Sequence, residues 1–309
     1  MWRFWTSGSA VPVELHCHTL FSVDGHGTPE ELVEAAFAQG VHTLSITEHN
    51  NLGSCQRAET HAEKLGIRYL PGIEFDVLWK DRQLHFVGLG VNPDDPDLAR
   101  LIRRHLSVYS RFHDQVLREM ASRGFSVSEE TLQRDRMLRY PTHPEPTPNV
   151  WHLRDFYRKR AGYADLGAVE EAFLAASREA KKQPVSDEAF IGGFEEIRRV
   201  VHQSGGVLLL AHVAKYFPGD ARGQTDLIAE LLEAGADGFE LYHPRNRAEA
   251  HFEQLEKFAE SQKCLISGGS DSHAAPGDIG RCGAPDTIGV KLLEVLSDRA
   301  GRRACPGVE

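Results

Sequence analysis

The sequence predicts an α/β fold, a distorted barrel of about seven βα units interrupted by a helical insertion between its fourth and fifth strands. Three observations predict it. Short apolar, β-branched runs alternate with amphipathic helical stretches, the pattern of a parallel sheet with right-handed crossovers. Histidine, aspartate and glutamate recur where those runs end, and closed α/β barrels build their sites at the C-terminal ends of their strands. An open doubly wound sheet would instead gather its ligands at one switch point. Between residues 125 and 190 the rhythm breaks.

The first unit begins with Val13–His18, a strand whose His16 and His18 are two apart and so point to one face. Asp24-Gly25 follows on a loop and offers a hard oxygen ligand, although Asp-Gly is also a turn signal in its own right. Thr28-Pro29-Glu30-Glu31 has the form of a capping box with proline at the first helical position. Leu32, Val33, Ala36 and Phe37 supply the apolar face, and Gly40 ends the helix. The second strand, Thr43–Thr47, delivers Glu48-His49 into a turn before a helix over 53–65. The third, Arg68–Ile73, ends at Glu74, and the fourth, Gln83–Gly90, carries His85 inside its apolar run, where a core histidine is the alternative to a ligand.

From Pro96 to Arg123 apolar residues recur at helical spacing. Residues 125–190 contain no convincing strand. Helices are expected near 128–138, 150–161 and 166–181, and the proline-rich stretch Tyr140–Asn149 reads as loop. The division is therefore a barrel of 13–124 and 191–300 with 125–190 as a helical cap. Helix 194–203 and strand Val207–Leu210 resume the rhythm, the strand ending in Ala211-His212. Helix 225–234 leads to strand Gly238–Tyr242, ending in His243-Pro244. Helix 247–261 leads to Cys264–Ser267, ending in Gly268-Gly269-Ser270-Asp271-Ser272-His273, and a helix over 290–299 follows.

Composition narrows the function classes. The hydrophobic fraction is 41% and the charged fraction 26%, as in ordinary globular proteins, and no run is long enough to cross a bilayer. Residues Met1–Trp5 lead into no long apolar segment, so no secretory signal is expected. Five cysteines without C-x-x-C spacing argue against a disulfide framework or a thiolate zinc site, and for a reducing, cytoplasmic compartment. A net charge of −10 speaks against stable binding of duplex nucleic acid. Within 100–160, however, basic residues exceed acidic ones, which suits either a solvated helical surface or a flap facing an anionic substrate.

The ordered set H-x-H-T, D-G, T-E-H, P-G-I-E, L-H-F-V-G, A-H and G-S-D-S-H over about 13–280 resembles the polymerase-and-histidinol-phosphatase (PHP) family of metal-dependent phosphoesterases. The similarity is greatest to its stand-alone bacterial members that act on nucleotides and RNA 5′ ends. The resemblance implies three divalent ions, Mn²⁺ with Fe²⁺ or Zn²⁺ as alternatives. It makes His16, His18, Glu74 and Asp271 ligands of one ion. Glu74 would bridge to a second held by His85 and His212, and Asp24, His49 and His273 would hold the third. It also implies attack on phosphorus by a hydroxide shared between two ions. Glu48 reads as a carboxylate supporting the ligands.

On the substrate side the chain departs from the family pattern. The cap motif R-P-H becomes Val150-Trp151-His152 without its arginine, and A-H-P-x-R becomes Ala211-His212-Val213-Ala214-Lys215. Lys215 thus takes the basic position, with Arg245 a second phosphate-binding candidate and His243 a further group facing the site. The expected partner is a small nucleotide-like phosphomonoester. The alternatives are 5′→3′ exoribonuclease action on short single-stranded RNA and amidohydrolase-like cleavage of a non-phosphate bond.

Overall fold

The structure, a computed structural model, describes residues 13–22, 24–139, 150–159, 161–182, 192–273, 278–282 and 284–304. The expectations for the N-terminal residues and for the proline-rich loop lie outside these residues. The order of elements is β1 (Val13–Glu14), α1 (Pro29–Ala38), β2 (Thr43–Leu44), β3 (Thr47–His49), α2 (Cys55–Leu65), β4 (Arg68–Tyr69), β5 (Gly72–Trp79) and β6 (Arg82–Leu89). Four helices follow: α3 (Pro96–Ser122), α4 (Glu129–Arg139), α5 (Val150–Lys159) and α6 (Leu166–Lys181). Then come β7 (Gly192–Gly193), α7 (Phe194–Ser204), β8 (Val207–Leu210), a 3-10 turn (Val213–Lys215), α8 (Ala221–Glu233) and β9 (Gly238–Tyr242). The chain continues through α9 (Pro244–Arg247), α10 (Phe252–Gln262), β10 (Leu265–Gly268) and α11 (Asp286–Ala304).

The fold is mixed α/β. Among the described residues the strands form a sheet in the order β1-β2-β4 and a larger one in the order β10-β9-β8-β6-β5-β3, with β7 beside β5. Expected strands two and three are each divided between the two sheets. Backbone hydrogen bonds stitch the sheets together on both sides of β1: Leu15 N–H to Gly268 O (3.0 Å), His18 N–H to Ser272 O (2.9 Å), Ser45 N–H to Glu14 O (2.8 Å) and Thr47 N–H to Cys17 O (2.9 Å).

An all-parallel sheet was expected, and here the structure corrects the sequence. β6 runs antiparallel to both β5 and β8. The cause is local: β5 continues past Glu74 to Trp79, and a two-residue turn at Lys80-Asp81 brings the chain straight back, leaving no length for a crossover helix. Lys80 adopts a positive φ of 55° there. The helix expected over 247–261 is also two elements, α9 and α10.

Helix starts follow the expected chemistry. Thr28 caps α1, its hydroxyl accepting from Glu31 N–H while Glu31 returns a bond to Thr28 N–H. The main core packs Ile73, Phe75, Phe86, Leu208, Leu210 and Phe239 from the large sheet against Leu98, Leu101, Ile197 and Ile228 of the helices. A separate cluster joins Val116 and Met120 of α3 to Leu132, Leu153, Phe156, Tyr157, Phe173 and Ala176 of α4–α6. The 27-residue α3 thus serves both: its first half packs on the sheet and its second half on the inserted helices.

Candidate metal centre

The histidines and carboxylates converge where β1, β3, β8, β9 and β10 end and where β5 and β6 pair. His16 and His18, alternating along the extended chain after β1, are both fully buried. His16 Nε2 lies 3.4 Å from Glu74 Oε2 and 3.4 Å from Asp271 Oδ1, and His18 Nε2 lies 3.3 Å from each of the same two oxygens. Ligands held tetrahedrally at about 2.1 Å from an ion stand roughly 3.4 Å from one another. His16 Nε2 and His18 Nε2 are buried atoms with no hydrogen-bond partner among the described residues. Buried polar atoms are ordinarily paired. Here they face a common point in a geometry a divalent cation would satisfy, so the donor set fits a metal.

A second group gathers around the other oxygen of Glu74. His85 Nδ1 and His212 Nε2 lie 2.9 and 3.0 Å from Glu74 Oε1, and His49 Nδ1 lies 3.0 Å from Oε2. A third forms at the Asp24 loop, where Asp24 Oδ1 is 3.3 Å from His49 Nε2 and 3.4 Å from His273 Nε2, with 3.5 Å between the two imidazole nitrogens. His49 thus stands between the second and third groups, a sharing that the motifs did not suggest. The ring of His18 also stacks on those of His49 and His273 at 4.4 and 4.2 Å. All nine candidate ligands are brought together.

The backbone turns sharply to achieve this. Asn50, His212 and Asp271 all have positive φ (54°, 33° and 52°), so each strand end bends back over the cluster. Such strain in residues other than glycine concentrates at functional sites. Gly269 is required by packing: a Cβ there would come within 2.3 Å of His16 Cβ.

The nitrogens turned away from the cluster are also held. His16 Nδ1 meets Glu240 Oε1 at 3.0 Å, and His18 Nδ1 meets Ser22 Oγ at 2.9 Å. Ser22 Oγ in turn donates to Glu48 Oε2 (2.6 Å), which also accepts from Thr19 N–H, while Thr19 Oγ1 donates to Glu48 Oε1. Glu48 therefore acts on His18 through Ser22. Partners of this kind fix the ring orientation of a ligating histidine. Sequence reasoning missed Glu240. Its signal was a lone carboxylate inside the apolar run of β9, a residue type almost never fully buried unless paired.

The electrostatics are those of imidazoles packed among carboxylates. Burial opposes charge on His16, but Glu240, Glu74 and Asp271 outweigh it and hold that ring well above the usual imidazole range. His49 is raised likewise, against burial, by Glu74 and Asp24. Burial would raise Glu74, yet His16, His85 and His49 hold it well below the carboxylate range, and Asp271 is lowered similarly by His16, His18 and His243. Burial dominates at His212 and lowers it to about 4. The carboxylates are thus anionic and His212 is neutral at neutral pH, the states in which they ligate metals.

Of the substrate-side candidates, His243 is buried with Nε2 3.4 Å from Asp271 Oδ2 and Nδ1 accepting from Arg245 N–H. Lys215, exposed at the end of its 3-10 turn, brings Nζ to 3.4–3.5 Å from both nitrogens of His85. Arg245 is exposed at the start of α9, and among the described residues no contact brings its guanidinium to the cluster. From α5, His152 Nε2 reaches His26 Nδ1 at 3.0 Å, two residues beyond Asp24, so the inserted helices touch the rim of the centre.

Comparison with known proteins agrees with this geometry. A family model described as PHP domain matches residues 14–273. The phosphoribosyl 1,2-cyclic phosphate 1,2-diphosphodiesterase of Eggerthella lenta is 28% identical over 87% of this chain and 97% of its own. The 3',5'-nucleoside bisphosphate phosphatase of Chromobacterium violaceum is 27% identical over 87% and 89%. The 5'-3' exoribonuclease Rnm of Escherichia coli is 26% identical over 85% and 86%. Among solved structures, an amidohydrolase from Chromobacterium violaceum shares the fold with a TM-score of 0.64 and 24% identity, covering 93% of this chain and 96% of its own.

Proposed function

The chain belongs to the PHP domain family, and from that premise we propose that it is a metal-dependent phosphoesterase hydrolysing a nucleotide-like phosphomonoester at a centre of three divalent ions. The observation that carries the reading is the convergence of His16 Nε2, His18 Nε2, Glu74 Oε2 and Asp271 Oδ1 at 3.3–3.4 Å spacings with no ordinary partner for the first two. His16, His18, Glu74 and Asp271 would hold one ion, Glu74 with His85 and His212 a second, and Asp24, His49 and His273 a third. Imidazole and carboxylate donors without thiolate suit Mn²⁺, with Fe²⁺ or Zn²⁺ as alternatives. Ions bound there supply positive charge to phosphoryl oxygens and lower the pKa of water.

The chain's own groups do the rest. Glu240 and the Ser22–Glu48 pair hold His16 and His18 in their ligating orientation. His243, whose Nδ1 accepts a backbone N–H, carries its proton on Nε2 facing Asp271, and that N–H would donate a hydrogen bond to an oxygen of the bound phosphate. Lys215, beside His85, would bind an outer phosphate oxygen, a role its nearness to that candidate ligand supports. The backbone bonds on either side of β1 support a distorted seven-unit barrel closed at Leu15 and Thr47. The separate apolar cluster of α4–α6 supports reading 125–190 as a cap rooted on α3.

The test is a panel of phosphate esters offered to Mn²⁺-loaded protein: mononucleotides, nucleoside bisphosphates, a cyclic phosphate, short RNA and a non-phosphate amide. Turnover of small monoesters that vanishes on chelation and returns with Mn²⁺ is expected. Preference for short RNA with steep salt dependence would instead favour the exoribonuclease reading, and turnover of the amide alone would overturn the phosphoesterase reading. Removing a charge-assisted bond costs about 1.5–3 kcal/mol, so Lys215→Ala should lower kcat/KM by roughly one to two decades without loss of metal. A variant matching the parent at low substrate removes Lys215 from phosphate binding.

A further inference from the structure

Asp76 lies two residues beyond Glu74 on β5, hence on the same face, and opposite His85 in the β5–β6 register. No motif marks it, yet both oxygens of its carboxylate are engaged by neighbouring side chains. Oδ1 accepts from Gln83 Nε2 at 2.9 Å and stands 3.3 Å from His85 Nε2. Oδ2 accepts from Asn50 Nδ2 (2.8 Å) and from the Tyr109 hydroxyl (2.8 Å). Asn50 gives its other amide hydrogen to Tyr109 Oη (2.6 Å), while its Oδ1 accepts from Asp76 N–H (2.9 Å) and from His105 Nδ1 (2.7 Å). Asn50 itself directly follows His49 and bonds through its N–H to Glu74 O. Tyr109 and His105 are one turn apart on α3.

His85 therefore sits between two carboxylates, Nδ1 toward Glu74 and Nε2 toward Asp76. A neutral imidazole that gives one nitrogen to a metal carries its proton on the other, and an acceptor for that proton fixes tautomer and ring orientation. We infer that Asp76 is a positioning residue that accepts a hydrogen bond from His85 Nε2–H and so presents Nδ1 to the metal shared with Glu74, and that Asn50 and Tyr109 lock Asp76 in place and tie this ligand to α3. The inference rests on the metal-centre reading above. It has a structural consequence: the helix whose far half carries the inserted cluster reaches a metal ligand through the Tyr109 hydroxyl on Asp76 and through His105 on Asn50.

The test uses Zn²⁺, which is diamagnetic, added to metal-free parent, Asp76→Asn and Tyr109→Phe. Calorimetry reads each binding step, and ¹⁵N–¹H spectra of the imidazoles read the tautomer of His85, assigned against His85→Gln. In the loaded parent the His85 proton is expected on Nε2. Asp76→Asn should weaken one binding step about 10–100-fold, leave the others unchanged and displace that imidazole signal. Tyr109→Phe, nearly isosteric and so safe for folding, should weaken the same step severalfold. Variants that bind every equivalent as the parent does, or that weaken all steps together while the metal-free melting temperature falls, overturn the positioning role. A parent that binds no Zn²⁺ overturns the metal centre itself, and the inference with it.

Discussion

His16, His49 and His273 are the residues at which protons and metal compete most directly. Burial disfavours their charge, but Glu240 and Glu74 at His16, Glu74 and Asp24 at His49, and Asp24 at His273 raise all three above the ordinary imidazole value. In the metal-free chain their ion pairs are fully made below that ordinary value, and their stabilisation is lost as pH rises through the raised folded values. Metal takes the unprotonated rings, so binding must expel these protons. Mn²⁺ affinity should therefore fall, with protons released on binding, when titrations are moved from about pH 8 to about pH 6. Affinity that is flat across that window would mean the three rings are not ligands. His212, already lowered to about 4, contributes nothing to this dependence.

At the scale of elements, the helices after α3 pack in an apolar cluster of their own, which is the proposed seat of substrate recognition. Phe173 is buried in the inserted cluster with Tyr157 and Phe156, away from every candidate ligand. Phe173→Ala should cost that cluster about 3–5 kcal/mol. Hydrogen exchange should then quicken in α4–α6, and KM for the phosphate ester should rise while bound metal stays constant. Loss of metal from a variant that still folds would show that the inserted helices shape the centre directly. Helix α1 and its cap were legible because apolar spacing and capping residues are local signals, as at Thr28-Pro29-Glu30-Glu31. The hairpin at Lys80-Asp81 was not, since neither residue is the glycine or asparagine such turns favour. That one turn reverses β6 and places His85 against Asp76.

Across the whole molecule, the candidate ligands other than His85 were readable in advance because each falls at or near an expected strand end within a short polar motif, and His85, inside β6, was read from its place in the ordered set of motifs. The residues that support them were not. Glu240 and Asp76 lie inside strands, and Asn50 and Tyr109 acquire their partners only when β3, β5 and α3 meet, contacts that no spacing in the sequence encodes. What folding adds to the motif is therefore the set of acceptors behind the imidazoles, and with it the preorganisation on which metal affinity depends. The most direct test is the number of Mn²⁺ ions retained per chain when metal-free protein is reconstituted and the excess removed. About three ions, bound as phosphomonoester turnover appears, is the result expected from this mixed imidazole and carboxylate set; a single ion or none, in folded protein given excess Mn²⁺, would contradict it.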